Sequence, residues 1–392
     1  MRVLIDYRPA LRERSGSGEY THQLAKALLT SSAVRGTHRA IDVTLFSSSW
    51  KDRLTPASDL AGAQIVDRRI PVRLLNLAWH RLEWPPAETL AGARFDVVHS
   101  PHPLLTPARD AAQVITIHDL NFLSHPERTR AEIRRDYPAL AGAHARRADA
   151  ILVPSAYTAG EVERLLGVRR ERMAICPPGS PVWKPRSPVP NDGYILFFST
   201  LEPRKNVAAL LDAYERLIAS AASDRAEATN RPRRQIPQLV LAGKATADAK
   251  AWLDRIGRPP LLGAARHVGY VEANDRQALY EGARLLVQPS LDEGFGMTVL
   301  EAMSLGVPVV AANRGSLPEV VGGAGLLVDP EQPADIAHAI GRLLDDEGLA
   351  ASCAARGIVR ARVFNWNETA DRVYDTYAAA AERRRARGSR RT

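Results

Sequence analysis

The chain has little cysteine. Cys176 and Cys353 are the only two in 392 residues, too few for a disulfide framework and in keeping with a reducing compartment. It has no run of about 18 uninterrupted apolar residues, so no membrane span is expected. The first residues, MRVLIDYRPA, lack the apolar stretch of a secretory signal, and Asp6 interrupts what run there is. No Asp-x-Asp occurs anywhere. The paired carboxylates that hold a metal on a diphosphate are therefore missing, and neither metal nor other cofactor is expected. Internal repeats at solenoid periods are also absent. These absences predict a cytoplasmic protein, with peripheral contact at the inner face of the plasma membrane as the one membrane role left open.

What is present is ordinary in bulk and unusual in charge. Hydrophobic residues make up 45% and charged residues 25%, as in soluble globular proteins, and the length implies two domains. The net charge of +9 favours anionic partners. Part of it lies in ERRRARGSRR, residues 382–391. That run reads as a solvated end or as an attraction to anionic lipid. No aromatic residue stands among its arginines to stack on bases, so nucleic acid is not an expected partner.

Short β-branched runs alternate with helical patterns along the whole chain. Strands are predicted at 2–7, 42–48, 96–100, 113–119, 150–155 and 173–178, then at 194–200, 238–244, 266–271, 284–290, 307–312 and 325–330. Helices are predicted between several of them, including 19–29 and 131–148. Apolar strands alternating with helices indicate an α/β fold with parallel sheets covered on both faces. The alternation breaks at PPGSPVWKPRSPVPND, residues 177–192, a proline-dense stretch read as a linker. A second polar break, 220–237, reads as a long mobile connection. The expected organisation is a first domain over 1–182, a linker over 183–193, and a second domain over 194–363. A terminal helix at 364–384 and a basic tail at 385–392 complete it.

The most informative stretch is SLDEGFGMTVLEAMSLG, residues 290–306. It follows a predicted strand, so it lies at a carboxyl edge, where parallel sheets bind ligands. Gly294 and Gly296 let backbone approach a ligand, and the helix that follows offers free N–H groups and a partial positive charge. That arrangement suits a phosphate. Glu293 and Glu301, on either side, would then accept hydrogen bonds from neutral hydroxyls. A nucleotide sugar, with ribose, diphosphate and sugar in line, has that layout. Arg204 and Lys205, in STLEPRKNVAALLDAY, stand at another strand-to-helix turn, where fixed cations would stabilise a leaving diphosphate.

EGFGMTVLEAMSLGVPVVAA closely resembles the signature of retaining glycosyltransferases of family 4, which have the GT-B fold. Ser304 and Ala312 depart mildly from it. The resemblance covers nearly the whole chain. It implies two Rossmann-like domains facing across a cleft, metal-independent chemistry, and retention of anomeric configuration. In the family, the residue matching Glu301 binds ribose hydroxyls and the one matching Glu293 faces the transferred sugar. The backbone of Phe295, Gly296, Met297 and Thr298 approaches the diphosphate, and the residues matching Arg204 and Lys205 balance its charge. Gly243 and Lys244, at a strand end, match a glycine turn near the nucleotide, and Val268 to Val271 run beside the base. Ser316, Leu317 and Glu319 line the same edge.

In the first domain, Gly16 and Gly18 resemble the family's loop after the first strand. His118 and Asp119 resemble a His-Asp pair beside the sugar's anomeric region. His99 and His102, in HSPHPLL, lack a third ligand at a fitting spacing and read as loop residues lining the cleft. Thr158 and Glu161 read as a capping box, leaving Ser155 and Tyr157 without chemistry. Residues 364–377 match the family's terminal helix. Taken together, the resemblance implies transfer of a sugar from a nucleotide diphosphate. SGSGEYT, VVHSPHPLL and TIHDLNFLSHPE look most like bacterial mannosyltransferases of surface-polysaccharide assembly, which implies GDP-mannose as donor. The acceptor would be a glycan or lipid-linked oligosaccharide. A nucleotide-sugar epimerase or hydrolase, or an idle sugar-nucleotide-binding subunit, stays open as an alternative.

Overall fold

The structure, a computed structural model, describes residues 1–11, 14, 16–35, 40–55, 58–126, 131–187, 190, 192–227 and 235–389; side chains are left aside at 32–35, 131–136 and 224–227. The chain divides into two units, Met1–Gly179 with Asn365–Thr392, and Ser180–Phe364.

The first unit is built on strands β1 (Arg2–Asp6), β2 (Asp42–Ser48), β3 (Gln64–Arg68), β4 (Val97–Ser100), β5 (Ala112–Thr116), β6 (Ala150–Val153) and β7 (Met173–Ile175). All pair in parallel, in the order β3-β2-β1-β4-β5-β6-β7. Side chains alternate across the sheet. Val3 and Ile5 face a core with Tyr20, Leu24 and Leu28 of the helix Ser17–Arg35 and with Val373 and Tyr377 of the helix Trp366–Ser389. Leu4 faces the other way, into a cluster with Phe46, Leu75 and Trp79.

The second unit carries β8 (Tyr194–Phe198), β9 (Leu239–Ala242), β10 (Ala265–Gly269), β11 (Ala283–Gln288), β12 (Val309–Ala312) and β13 (Leu326–Val328). They too are parallel, in the order β10-β9-β8-β11-β12-β13. Phe197 and Val287 pack on the helices Val207–Glu227 and Pro333–Asp345, while Leu196 and Leu286 pack on the helix Met297–Ser304. Each sheet therefore has a switch point, where strand order reverses: between β1 and β4 in the first, between β8 and β11 in the second. The crevice at the carboxyl ends beside such a point is where open α/β sheets take ligands.

All the expected strands are present, and β3 joins them. Its side chains are half-buried, so it shows no continuous apolar run. Several local expectations need correction. The helix Val207–Glu227 runs into the stretch read as a mobile connection, while 228–234 lie outside the described residues. The described part of the proline-rich stretch is not a loose tether. Trp183 packs edge-tilted on Tyr280, and Arg186 bonds the carbonyls of Glu281 and Ala283. Ser155, not Thr158, caps the helix Ala156–Leu166: its extended backbone lets its hydroxyl accept from Thr158 N–H at 3.0 Å. Glu161 instead pairs with Arg164.

The terminal helix continues to Ser389. Arg385 pairs with Asp96 and Arg387 with Asp149, while Arg383 and Arg384 bond the carbonyls of Asp149 and Arg109. The run read as a tail is thus helical as far as Ser389, mostly exposed to solvent, with its arginines reaching groups of the first unit. Residues 390–392 lie outside the description. Among the described residues no helix is long and apolar enough to cross a membrane.

Candidate functional site

At the second switch point the loops after β8 and β11 are stitched together. Leu291 N–H donates to Arg204 O at 2.9 Å. Asn206 adopts a left-handed backbone (φ 59°), and its amide donates to Pro289 O at 3.2 Å and Pro330 O at 2.7 Å. These bonds fix the turn Pro203–Lys205 and aim its cations at the crevice. Lys205 Nζ lies 2.6 Å from Glu293 Oε1, both side chains 9% exposed, and Arg204 Nη1 lies 3.6 Å from Glu293 Oε2. Ser290 Oγ and Gln288 Nε2 also donate to Oε1, at 2.8 and 3.0 Å.

Burial alone would raise the Glu293 pKa. Lys205 and Arg204, with the hydrogen bonds, outweigh it and bring the value down to about 2. Glu293 is therefore an anion at neutral pH. Arg204 also pairs with Glu202, Nη2 to Oε1 at 2.9 Å, so two cations meet two carboxylates and the side-chain charges of the cluster balance. The helix Met297–Ser304 starts beside it and adds the partial charge of its N-terminus. Gly296 caps that helix at φ +104°, and a Cβ there would stand 2.6 Å from Leu317 Cδ2, so only glycine fits. Phe295 turns its ring inward onto Phe364, at 5.4 Å, leaving its backbone to the edge.

Glu301 is buried on the same helix. Tyr280 OH donates to its Oε2 at 2.7 Å, and Arg276 Nη1 stands 4.0 Å from Oε1. Gly243 ends β9 at φ +123°, and a Cβ would meet Ser199 O at 2.0 Å. Its constraint is thus backbone packing of β8 against β9. Lys244 is exposed, and Val271 packs at the rim of the Leu196 cluster. Met297 and Thr298 form the helix's first turn. Ser316 holds the Glu293 carbonyl by its N–H and hydroxyl, at 3.0 and 2.9 Å. The structure thus brings Arg204, Lys205 and Glu293 together, with Gly294 to Thr298 next to them in the chain. Ser290, Gln288, Tyr280 and Arg276 are partners that sequence reading missed. Their roles depend on tertiary pairing, and only Ser290 and Gln288, at a strand end, carry a local signal.

The other candidates belong to the first unit. Gly16 opens the turn at φ +51°, and Gly18 lies inside the helix Ser17–Arg35. His118 Nε2–H donates to Pro101 O at 3.2 Å, with its ring edge-on to Tyr20 at 4.9 Å. Burial lowers its pKa to about 4, so it is neutral at pH 7. Asp119 accepts from Asn121 N–H at 3.2 Å. His99 is not a loop residue. It is fully buried on β4, where Thr116 Oγ1 and Tyr377 OH each lie 2.8 Å from a ring nitrogen.

The first switch point sets His102, read as lining the cleft, beside Asp6 and Arg8, which were not anticipated as a site. Asp6, fully buried at the end of β1, receives Arg8 Nε at 2.8 Å and Nη2 at 2.5 Å, and His102 Nε2–H at 3.2 Å. Arg8 and His102 hold its carboxyl far below the usual range despite burial. A charge ending an otherwise apolar strand was the available signal. Among the described residues no cluster of three or more His, Cys, Asp or Glu could hold a metal.

Comparison with known proteins agrees with this architecture. Residues 14–182 match the model described as Glycosyltransferase Family 4, and residues 192–346 match Glycosyl transferases group 1. The chain is 29% identical over 400 residues to O-antigen chain mannosyltransferase B of Escherichia coli, covering 96% of this chain and 99% of that one. It is 28% identical to D-inositol 3-phosphate glycosyltransferase of Acidothermus cellulolyticus, over 96% and 89% of the two chains. In fold it is similar to sucrose-phosphate synthase from Thermosynechococcus elongatus (TM-score 0.74, 19% identity, 96% and 98% covered). It is similar also to WaaG, a glycosyltransferase involved in lipopolysaccharide biosynthesis (TM-score 0.67, 16% identity, 96% and 99% covered). With both of its parallel-sheet units matched, the chain belongs to the family 4, group 1 glycosyltransferases of the GT-B fold.

Proposed function

We propose that this glycosyltransferase moves mannose from GDP-mannose to a glycan or lipid-linked oligosaccharide, with retention and without a metal. The observation that carries the reading is the Arg204–Lys205–Glu293 cluster at the second switch point, beside the N-terminus of Met297–Ser304. Its two cations and the helix N-terminus fit a diphosphate whose charge grows as it leaves. Glu301, held by Tyr280, fits a ribose diol. Mannose is supported by the relative named a mannosyltransferase, which the chain matches over nearly its full length.

Glu293 is ionised and ringed by donors, which makes it a poor general acid and a crowded nucleophile. The acceptor hydroxyl would then attack from the face the diphosphate leaves. The glycosidic C–O bond to phosphate breaks, the new C–O bond forms, and the departing phosphate oxygen takes the hydroxyl proton. The cations of the second unit would balance the charge that a metal held by paired aspartates balances in other transferases.

The test is a screen of nucleotide sugars by thermal shift, followed by transfer assays with EDTA present. GDP-mannose should raise the melting temperature most, since a ligand bound only by the folded state stabilises it. Transfer should survive the chelator with the configuration at the sugar's anomeric carbon retained. A larger shift with a UDP- or dTDP-sugar would move the donor assignment. Metal-reversible loss of activity would refute the metal-free mechanism, and an inverted product would refute retention.

A further inference from the structure

The proposed reaction uses Glu301 but not the two side chains that address it. Arg276 and Tyr280 lie four apart on the helix Arg276–Glu281, so they share one face. Both are buried, Tyr280 completely. Tyr280 OH donates to Glu301 Oε2 at 2.7 Å, and Arg276 Nη1 stands 4.0 Å from Oε1. One helix therefore attends to both oxygens of one carboxylate. The two contacts differ in kind. At 2.7 Å the phenol fixes a direction, whereas at 4.0 Å the guanidinium supplies charge.

Direction matters because the last torsion of a glutamate is broad. Held only by its helix, the Glu301 carboxylate would swing about that bond. The Tyr280 ring has no such freedom. It packs against both Phe198, which ends β8, at 5.7 Å and Trp183 at 5.9 Å between ring centroids. Tyr194 OH ties the same helix to the start of β8 by donating to Leu279 O at 2.5 Å. Burial, and then the Glu301 carboxylate beside it, push the Tyr280 phenol well above its ordinary pKa, so it stays a donor at neutral pH.

A ribose presents two neighbouring hydroxyls. One carboxylate meets both only when its plane is set so that each oxygen faces one hydroxyl. Resting on the reading of Glu301 as the ribose contact, we propose that Tyr280, with Arg276 beside it, is the positioning residue that sets this plane and makes the site select ribonucleotides over deoxyribonucleotides. A pentose lacking one hydroxyl withdraws a donor from a carboxylate that cannot turn to replace it, and that loss is costly. A carboxylate free to turn would follow whichever hydroxyl remained and would discriminate less. Donors built on GDP or UDP therefore fit the site. Donors built on dTDP, whose pentose is a deoxyribose, fit it less well whatever sugar they carry.

Calorimetry on the full-length protein is the test, with GDP and UDP each set against its deoxy counterpart, dGDP or dUDP. The wild type should bind the ribonucleotide about tenfold tighter or more. Tyr280→Phe keeps the ring and removes only the donor. It should shrink that gap to about threefold or less, chiefly by weakening the ribonucleotide. Lys205→Ala, at the diphosphate, should weaken both members of a pair alike. Melting temperature checks that Tyr280→Phe folds. If it does not, Arg276→Gln, which should narrow the same gap about threefold, decides. An unchanged gap in a folded variant, or an equal loss for both nucleotides, would overturn the assignment and leave Tyr280 a packing residue. A wild type that binds both members alike would instead refute Glu301 as the ribose contact. Binding of neither pair would refute the nucleotide site, and the assignment falls with each.

Discussion

The two switch points bury ion pairs of different make-up. Each buries a carboxylate at the carboxyl edge of a parallel sheet and pairs it with a basic residue. At the second, two carboxylates, Glu293 and Glu202, meet two cations, Lys205 and Arg204, and a helix N-terminus adds a partial positive charge. At the first, Asp6 is clamped by the Arg8 guanidinium, so the two charges cancel. The histidines near it, His80 and His99, are both lowered to about 3, chiefly by burial, and are neutral at pH 7. The second crevice offers two cations and a helix N-terminus, the first a single cancelled ion pair and neutral histidines. That is the division expected if the second unit holds a nucleotide diphosphate and the first an acceptor sugar.

The largest expected difference between the units is in acid. His80, His99 and His118 have folded-state pKa values of about 3, 3 and 4 against an ordinary 6.5. Below pH 6.5 the unfolded chain takes up protons that the folded first unit refuses, so stability falls. Each histidine costs about 2 kcal/mol between pH 6.5 and pH 5. Glu293 works in a lower window. Its pKa falls from 4.5 to about 2, so its contribution is complete above pH 4.5 and is lost as pH drops toward 2. Hydrogen exchange followed from pH 7 to pH 5 should show the first unit opening before the second. The reverse order would break the comparison.

Next in size are the two clamps. Arg8→Leu leaves Asp6 buried without its main partner and should cost about 3–5 kcal/mol of stability. Its effect should appear in melting rather than in donor affinity. Lys205→Ala should slow transfer on the order of a hundredfold, about 3 kcal/mol of transition-state stabilisation. Because Lys205 also neutralises buried Glu293, some stability should go with it, as a melting curve would show. Transfer at the wild-type rate would remove the cation from the chemistry.

The smallest expected effect is at Glu301. Glu301→Gln keeps the shape and one acceptor oxygen but loses charge-assisted bonding, so nucleotide affinity should fall by about 1–3 kcal/mol. Calorimetry with GDP would measure it, and an unchanged dissociation constant would take Glu301 out of the ribose site.

Much of the second unit was legible before folding. Most of its strands carry apolar runs, and the glycines and charges that matter fall at strand ends, where local spacing alone points to a ligand edge. The first unit was less legible because its important contacts are distant in sequence. Asp6 stood out only as an interruption in an apolar run, while its partner His102 lies 96 residues away. His99 reads as a loop residue until Tyr377, 278 residues on, is seen against it. The arginines after 382 look like a free tail because nothing nearby pairs with them. Asp96 and Asp149, which do, come from other parts of the chain. The strand β3 was hidden by its half-buried edge position.

The division of labour between the switch points is tested most directly by hydrogen exchange of the full chain with and without GDP-mannose. Slowed exchange is expected in peptides covering 199–206 and 290–301, which carry Arg204, Lys205, Glu293 and Glu301. Peptides covering 4–8 and 100–104, which carry Asp6, Arg8 and His102, should exchange as before. Protection confined to the second pair of peptides would place the donor in the first unit and contradict the account.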